Sequence, residues 1–507
     1  MGVETTKMGP KRTIGIYSGA AISISQMIGS GIFSTPSSVL ALVGSPAVVL
    51  ILYIAGGIFS LCGALTFIEM GVMFPKNGGT LRYLAHGIPK PRLLLSYLFA
   101  WCMILCIRPS GIASNGPVFS KYLIYGIAGG PNLPTEHPWL FAHSDWIYRG
   151  VAILAVTTAT FICMSSVKWS LRVINALTIV KITLLLFLGI TGILLAAGAI
   201  KHQKTDNFSR GFKGTNGNVG GYASALNSVF FSYGGWDNVI YVVGEMIDPA
   251  KKLPISATLG VGSVTTLYTF AIVAYFSVVP MSVALESKEI LAAEFTNRVF
   301  GPLYGRIVLP IIISFSVYGN IVALIFGVGR IISTAAEVGY VPFGDKLSKY
   351  SCRFKTPVNA LAFNWVITII YIVAPPPGNV FDLLSNLSQY PNWLFYGVAA
   401  VGCILMRRDK KLNELRKFKV YLPIAYVLVF VGAYQSIFPF VPFTNTNSSY
   451  PYYLSPLLGI SVTILGVVPF YLRMYWWADK KGVDYTEWEK EEITQLLDNT
   501  SDSITSK

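Results

Sequence analysis

Long apolar stretches alternate with short polar connections along nearly the whole chain. A transmembrane helix needs roughly 17–25 mostly apolar residues, and each stretch reaches that length. The pattern predicts one all-helical membrane domain, residues 13–477, between two terminal tails, 1–12 and 478–507. Its twelve predicted segments are residues 13–43, 46–73, 93–127, 148–166, 170–199, 222–245, 255–280, 303–339, 358–374, 380–406, 420–438 and 453–477.

Glycines interrupt the first segment at Gly29-Ser30-Gly31, where a bilayer favours an unbroken helix. In lipid, irregular backbone survives only around a polar cavity or a ligand, because unpaired backbone groups are costly there. A second interruption, Gly234-Gly235, lies in the sixth segment. Two glycine-interrupted segments at corresponding positions of two halves indicate a transporter binding site.

The two interruptions present opposite backbone groups. Free N–H groups after the first break, with the positive end of the helix dipole, attract a carboxylate. Free carbonyls before the second break suit an ammonium group. Together they describe a site for a free amino acid, whereas either break alone is explained as well by close helix packing.

Three of the charged residues within the predicted segments are functional candidates, because charge is costly in a membrane and usually functional. We expect Lys181, midway along the fifth segment, to brace the broken first helix in place of a sodium ion. Arg108 has two interpretations: it contacts an anionic substrate side chain, or it satisfies carbonyls freed by Pro109. Asp237 binds substrate or water, or pairs with Lys181 or Arg108.

Aromatic residues flank the second break. Phe231 and Tyr233 are candidates for closing over a substrate, and packing is the preferred role for Trp236. Further lining candidates are Met27, Gly319, Asn320, Asn392 and Trp393. Glu69 and Glu245, near segment ends, are expected to form salt bridges rather than to bind substrate.

Composition and charge agree with a membrane protein. The chain is 53% hydrophobic and 12% charged, about half the charge of an average soluble protein. The net charge of +15 is not a nucleic-acid signal, because the basic residues concentrate in short loops, as membrane topology requires. Loop 407–419 holds seven basic residues and loops 375–379 and 439–452 none, which predicts cytoplasmic termini, although the loop after the fifth segment runs against this trend.

Other chemistry is not indicated by the sequence. The six cysteines include no CxxC pair, so neither a disulfide framework nor a zinc site is expected. Without a P-loop, HExxH or GxSxG motif we expect neither an enzyme nor a cofactor. Sequons at Asn207 and Asn447 fall in predicted outer loops and are glycan candidates, although unused sequons are equally common. The acidic tail after Trp477 is expected to form one surface helix.

Several local motifs occur in a fixed order. They are Gly29-Ser30-Gly31-Ile32-Phe33 with Thr35-Pro36, Pro75-Lys76-Asn77-Gly78-Gly79, Phe231-Ser232-Tyr233-Gly234-Gly235-Trp236, Gly329-Arg330 and Asn392-Trp393. Over nearly the whole chain this combination resembles the L-type amino acid transporters of the amino acid–polyamine–organocation superfamily, and among them most closely the fungal methionine permeases.

The resemblance implies a LeuT-type fold, with two inverted five-helix repeats and two further helices, and sodium-independent carriage of amino acids by alternating access. It also implies that the first break binds the carboxylate, that carbonyls near the second bind the amine, that Phe231 is a gate, and that Lys181 matches the fifth-helix lysine of the family. The substrate-binding candidates are then Met27, Gly29, Ser30, Gly31, Arg108, Phe231, Ser232, Tyr233, Gly234, Gly235, Asp237, Asn320 and Asn392.

Three features differ from the usual family pattern or match only one branch of the family. Asp237 stands where the family often has asparagine, and Arg108-Pro109 resembles the cystine/glutamate exchanger branch. Residues 128–147 contain no cysteine, so we expect no disulfide-linked glycoprotein subunit. The leading hypothesis is a plasma-membrane carrier of neutral amino acids such as methionine. An anionic amino acid exchanger and an amino acid sensor on the same fold are the alternatives.

Overall fold

The computed structural model describes residues 12–88, 90–91, 93–129, 144–199, 205–287, 290–375, 380–442, 451–481 and 487–505. Across these ranges the regular structure is helical, apart from one isolated bridge between Ile14 and Met246. The helices are α1 (Ile16–Met27), α2 (Gly31–Val43), α3 (Pro46–Met73), α4 (Thr80–Gly87), α5 (Leu94–Ala128), α6 (Ser144–Ser165), α7 (Val167–Ala196), α8 (Val219–Ser232), α9 (Pro249–Val278), α10 (Met281–Glu286), α11 (Leu291–Phe300), α12 (Tyr304–Glu337), α13 (Gly344–Leu347), α14 (Val358–Val373), α15 (Val380–Met406), α16 (Lys410–Glu414), α17 (Leu422–Phe440), α18 (Leu454–Lys480) and α19 (Glu487–Thr505), with a 3₁₀ helix at Asn238–Glu245.

Every predicted segment contains helix, but the segments differ in length. Eight helices of the described chain are long and apolar enough to cross a membrane alone, and α1 with α2, bent by 42°, makes a ninth. The three remaining segments contain α8 with the 3₁₀ helix, α14 and α15. The sixth is divided at its break, and α14 has only 16 residues. The total of twelve spans therefore stays a prediction.

Local sequence explains several of the helix ends. Helix α2 ends at Gly44, whose φ of +75° is left-handed backbone that glycine adopts without strain. Asn218 caps α8, because its side chain accepts hydrogen bonds from the N–H groups of Gly220 and Gly221. Helix α9 begins at Pro249, a first-turn position where proline removes no helical hydrogen bond.

The two broken segments lie next to each other inside the bundle. Helix α8 packs on α2, while α1 packs on α7, α9 and α12. These interior helices are apolar on nearly all sides, as expected for helices that contact protein or lipid rather than water. A broken segment at the start of each five-segment half agrees with the expected LeuT-type fold.

Candidate functional site

One polar cavity lies between the two helix breaks. Its lining comes from both breaks and from α5, α12 and α15, which are the third, eighth and tenth predicted segments. The lining residues are Gln26, Met27, Gly31, Ile107, Arg108, Gly111, Asn115, Phe231, Gly234, Gly235, Asp237, Asn320, Leu324, Ser388, Gln389 and Asn392.

The first break leaves backbone donors free beside this cavity. Helix α1 stops at Met27, and the Gly29 N–H turns back to the Met27 carbonyl at 2.8 Å. Within the described chain, the N–H groups of Ser30, Gly31 and Ile32 have no backbone acceptor. Such donors at a helix start form an anion-binding group.

Only glycine fits at two positions of this break. A Cβ on Gly29 would overlap the Asn320 side-chain amide and lie 2.7 Å from its Cγ. A Cβ on Gly31 would lie 2.5 Å from the Cα of Ser232, at the end of α8. The backbone of the first break is therefore in close contact with both α12 and the second break.

The second break contains a glycine with left-handed backbone. Gly235 has a φ of +114°, and a Cβ there would lie 2.6 Å from the Cβ of Gln26. The Tyr268 hydroxyl lies 2.6 Å from the Met27 carbonyl and 2.9 Å from the Ser232 carbonyl. Because it has one proton, it donates to one carbonyl at a time, and it ties the ends of α1 and α8 together.

Asn115 connects the first break to α12. Its Oδ1 accepts hydrogen bonds from Ser30 Oγ at 2.9 Å and from Asn320 Nδ2 at 3.1 Å, and its Nδ2 donates to the Gly111 carbonyl at 2.7 Å. Asn115 was not among the sequence candidates. The available signal was an amide side chain midway along an apolar segment, where a polar group needs a partner.

Asp237 has tyrosine partners rather than cationic ones. Its Oδ2 accepts hydrogen bonds from the hydroxyls of Tyr241 at 2.7 Å and Tyr396 at 2.6 Å. No ion pair within 4.0 Å joins it to Lys181 or Arg108, all three of which the structure describes. Of the expected roles, the two ion pairs are therefore wrong in this conformation, and contact with substrate or water stays a prediction because Asp237 lines the cavity.

Arg108 is 3% exposed and retains an unused donor. Its Nη1 donates to Gln26 Oε1 at 3.3 Å, and its guanidinium lies 5.1 Å from the centre of the Tyr241 ring. Its Nε is buried without a partner. The carbonyls freed by Pro109 are not its hydrogen-bond partners, so that interpretation is wrong in this conformation.

Lys181 reaches the first broken helix. Its Nζ donates to the Ser25 carbonyl at 2.5 Å and lies 3.3 Å from Ser25 Oγ, and the residue is fully buried. Ser25 lies two residues before the end of α1. The contact is the one that a bracing role requires, while the role itself stays a prediction.

The remaining candidates divide between the cavity surface and the layer behind it. Among the predicted residues, the surface holds Met27, Gly31, Arg108, Phe231, Gly234, Gly235, Asp237, Asn320 and Asn392. Gly29, Ser30, Ser232 and Tyr233 lie behind it. The Tyr233 hydroxyl donates to the Tyr53 carbonyl at 2.9 Å, so its contacts are those of packing rather than of a lid.

Aromatic side chains at the second break take different positions. Phe231 lines the cavity and packs edge-on against Phe381, with ring centres 5.4 Å apart. Trp236 instead packs against Phe67 and Tyr396, the role expected for it. Besides Asn115, sequence reasoning missed the lining residues Ile107, Gly111 and Leu324 and the polar side chains of Gln26, Ser388 and Gln389. The last two precede the predicted Asn392 by one helical turn, which is the spacing that could have revealed them.

The two glutamates near segment ends form ion pairs, as expected. Glu245 accepts from Arg330 Nε at 3.0 Å, and both residues are buried. Glu69 accepts from Arg407 Nη2 at 2.6 Å and also pairs with Arg416. These five side chains, called the ion-pair layer below, lie outside the cavity lining.

Asn207 is placed unfavourably for a glycan. It is 4% exposed, and its Nδ2, the atom that would carry the sugar, donates to the carbonyls of Phe276 at 2.9 Å and Val279 at 2.7 Å. A glycan there would require loss of both hydrogen bonds, which counts against that candidate. The second candidate, Asn447, lies outside the described residues.

Two broken membrane helices that meet around a buried polar cavity define a class, the transporters with discontinuous helices. Within it, the chain belongs to the amino acid permease family, whose model matches residues 14–464. It is 30% identical to the high-affinity methionine permease of Saccharomyces cerevisiae, over 90% of this chain and 78% of that protein. It is 32% identical to the mouse b(0,+)-type amino acid transporter 1, over 94% of this chain and 91% of that protein. It is 30% identical to the mouse large neutral amino acids transporter small subunit 2, over 92% of this chain and 82% of that protein.

Proposed function

We propose that this protein carries neutral amino acids, methionine among them, by alternating access and without sodium. The observation that carries the proposal is that both helix breaks border the same cavity. Free N–H groups of the first break would bind the substrate carboxylate, and carbonyls of the second would bind its amine. The similarity to a methionine permease and to a large neutral amino acid transporter subunit supports the substrate class.

The contact of Lys181 with α1 supports the absence of sodium coupling. The Nζ of Lys181 already donates to the Ser25 carbonyl, and we propose that in its ammonium form it takes the place of a bound sodium ion. We expect methionine uptake to be equal in sodium and choline buffers. Replacing Lys181 with methionine removes the cation and keeps the bulk, and should reduce uptake in both buffers alike.

The anionic exchanger is the second candidate, favoured by the free Nε of Arg108 at the cavity. Against it, the Asp237 carboxylate lines the same cavity and places a negative charge near any anionic side chain. Tyr241 links the two, because it donates to Asp237 and lies under the Arg108 guanidinium. The cavity is therefore polar but not simply cationic, which fits an uncharged side chain better.

Uptake into proteoliposomes distinguishes the candidates. We expect saturable methionine uptake that leucine inhibits and glutamate does not, with Arg108→Ala retaining methionine uptake. Robust glutamate or cystine flux without methionine flux, abolished in Arg108→Ala, would replace the neutral carrier with the anionic exchanger. Comparing empty with amino-acid-loaded vesicles separates uniport from exchange, and binding without flux would indicate a sensor.

We further propose a plasma-membrane location with both termini in the cytoplasm and no disulfide-linked subunit. The support is the distribution of basic loops and the absence of cysteine from residues 128–147. We expect the protein, extracted from native membranes, to migrate equally on reducing and non-reducing gels. Protease protection of tags placed on the two tails tests the orientation.

A further inference from the structure

The C-terminal helix α19 inserts one acidic side chain into a basic pocket, away from the cavity. Glu492 is 3% exposed. Its Oε2 accepts from Arg82 Nη1 at 2.5 Å and lies 3.3 Å from His86 Nε2, while Lys76 Nζ lies 3.6 Å from its Oε1. Three basic side chains from the connection between α3 and α5 thus surround one carboxylate from the tail.

The pocket stabilises the charged form of Glu492. Burial alone would raise the pKa of Glu492, but the hydrogen bond to His86 and the nearby Arg82 and Lys76 lower it to about 2. The carboxylate is therefore ionised throughout the physiological range. Removing one partner of a buried, hydrogen-bonded charge pair is strongly unfavourable.

Aromatic packing extends the contact to a second connection. The Trp488 ring lies 5.8 Å from the ring of His86 and 6.5 Å from that of Tyr340, which follows α12. Arg82 places its guanidinium 5.7 Å from the centre of the Trp488 ring. Helix α19 therefore packs against two connections that are far apart in the chain.

Hydrogen bonds lead from α19 to the second helix break. Arg82, which holds Glu492, donates through Nε to the Asn77 carbonyl at 2.7 Å. Asn77 Oδ1 accepts from the Gly244 N–H at 2.9 Å, in the 3₁₀ helix that follows the break. The next residue, Glu245, pairs with Arg330 of α12, and both side chains are buried.

Residues 13 and 14, among the first that the structure describes, lie on the same side. The N–H groups of Thr13 and Ile14 donate to the Glu245 carbonyl at 2.8 and 2.9 Å. We call this the terminal side of the molecule. The buried pair of Glu245 and Arg330 joins the 3₁₀ helix to α12 on this side, so separating these two elements requires breaking that pair.

We propose that α19 is an intramolecular latch that stabilises the conformation closed on the terminal side. Helix α19 holds the connection between α3 and α5, which is hydrogen-bonded to the 3₁₀ helix. It also packs beside Tyr340, which follows α12. Loosening the latch frees both elements and makes opening easier. The effect on transport rate rests on the proposed function, whereas the effect on the 3₁₀ helix does not.

The sharpest test compares two neighbouring glutamates of the full-length protein. Glu492→Gln removes the charge in the pocket, and Glu491→Gln removes an exposed charge one position away. Amide hydrogen exchange, measured by mass spectrometry, reports on residues 487–505 and 238–245, and methionine uptake into proteoliposomes reports on the cycle. We expect Glu492→Gln to raise exchange in both segments and to speed uptake roughly tenfold, as fits the loss of one charge-assisted hydrogen bond. Glu491→Gln should change neither.

Faster exchange in 487–505 alone, or an unchanged uptake rate in an active protein, would show that α19 is peripheral and overturn the latch. If the wild-type protein moves no amino acid, the proposed function fails, and exchange at 238–245 alone decides on the latch. Trp488→Ala provides a second variant if Glu492→Gln does not fold. It loses the aromatic contact but keeps the carboxylate, and should shift both segments in the same direction.

Discussion

The cavity and the two carboxylates of the ion-pair layer, Glu69 and Glu245, are both buried, but they differ in how completely their polar groups are paired. At the cavity, Arg108 Nε, Asn320 Oδ1 and Asn392 Oδ1 are buried without a hydrogen-bond partner. In the ion-pair layer, both carboxylates are held by arginines. An unpaired buried polar atom is costly, so three of them around one cavity indicate a place where ligand or water supplies the partners.

The paired region has the opposite character. Arg330 uses all of its nitrogens, since Nε and Nη2 meet Glu245 and Nη1 donates to the Phe326 carbonyl. Such a side chain has no free hydrogen-bond donor for a substrate. Its contribution is to hold the 3₁₀ helix against α12. Unused hydrogen-bonding capacity, rather than charge itself, therefore distinguishes the cavity from the Glu245–Arg330 pair. Arg416, in the same ion-pair layer, also keeps Nε and Nη2 buried without a partner.

The largest expected effect comes from breaking the paired region. Arg330→Ala leaves Glu245 buried without its counter-ion, which typically destabilises by about 3–5 kcal/mol. We expect a clear fall in the thermal unfolding midpoint of the detergent-solubilised protein. The double variant Glu245→Leu with Arg330→Met removes both charges and should recover part of the loss. A midpoint unchanged in Arg330→Ala would contradict the role given to this layer.

A smaller effect on stability but a large one on uptake is expected at the first break. Gly29→Ala places a methyl group against the Asn320 amide and displaces it, so uptake should fall roughly a hundredfold, as is typical when a site residue moves by about 1 Å. Gly262→Ala is the matched control, because nothing lies within 4 Å of a Cβ there. Similar uptake by the two variants would argue against a constrained break.

The connection through Asn115 should matter less. Asn115→Ala removes the acceptor shared by Ser30 and Asn320, a loss of about 1–2 kcal/mol and hence of roughly tenfold in apparent affinity for methionine. Competition binding with unlabelled methionine measures it. An affinity equal to that of wild type would mean that the first break keeps its shape without Asn115.

The smallest effect is expected at an exposed ion pair that belongs to neither region. Arg298 Nε lies 2.8 Å from Glu294 Oε1 on α11, and both side chains are partly exposed. Glu294→Gln should change the free energy of unfolding by less than about 0.5 kcal/mol, because solvent screens such pairs. A shift as large as that of Arg330→Ala would show that burial and pairing are not what separates the two cases.

The amino-acid sequence was sufficient to predict the helical membrane domain and the places where two helices break. Both follow from neighbouring residues: apolar runs predict helices, and Gly29, Gly31, Gly234 and Gly235 weaken them within a few positions. It also placed nine of its thirteen substrate-site candidates on the cavity surface, because those candidates lie at or beside the breaks or on segments expected to face them.

The three-dimensional packing of the helices was needed to see which polar groups meet. It paired Asp237 with two tyrosines instead of a cation, and it buried the Asn207 amide that had been a glycan candidate. Ser30 meets Asn115 across 85 positions of sequence, and Arg82 meets Glu492 across 410. The periodicity of apolar residues predicts a helix from that helix's own residues. A hydrogen bond between distant helices depends instead on how the helices pack, which no local sequence pattern encodes.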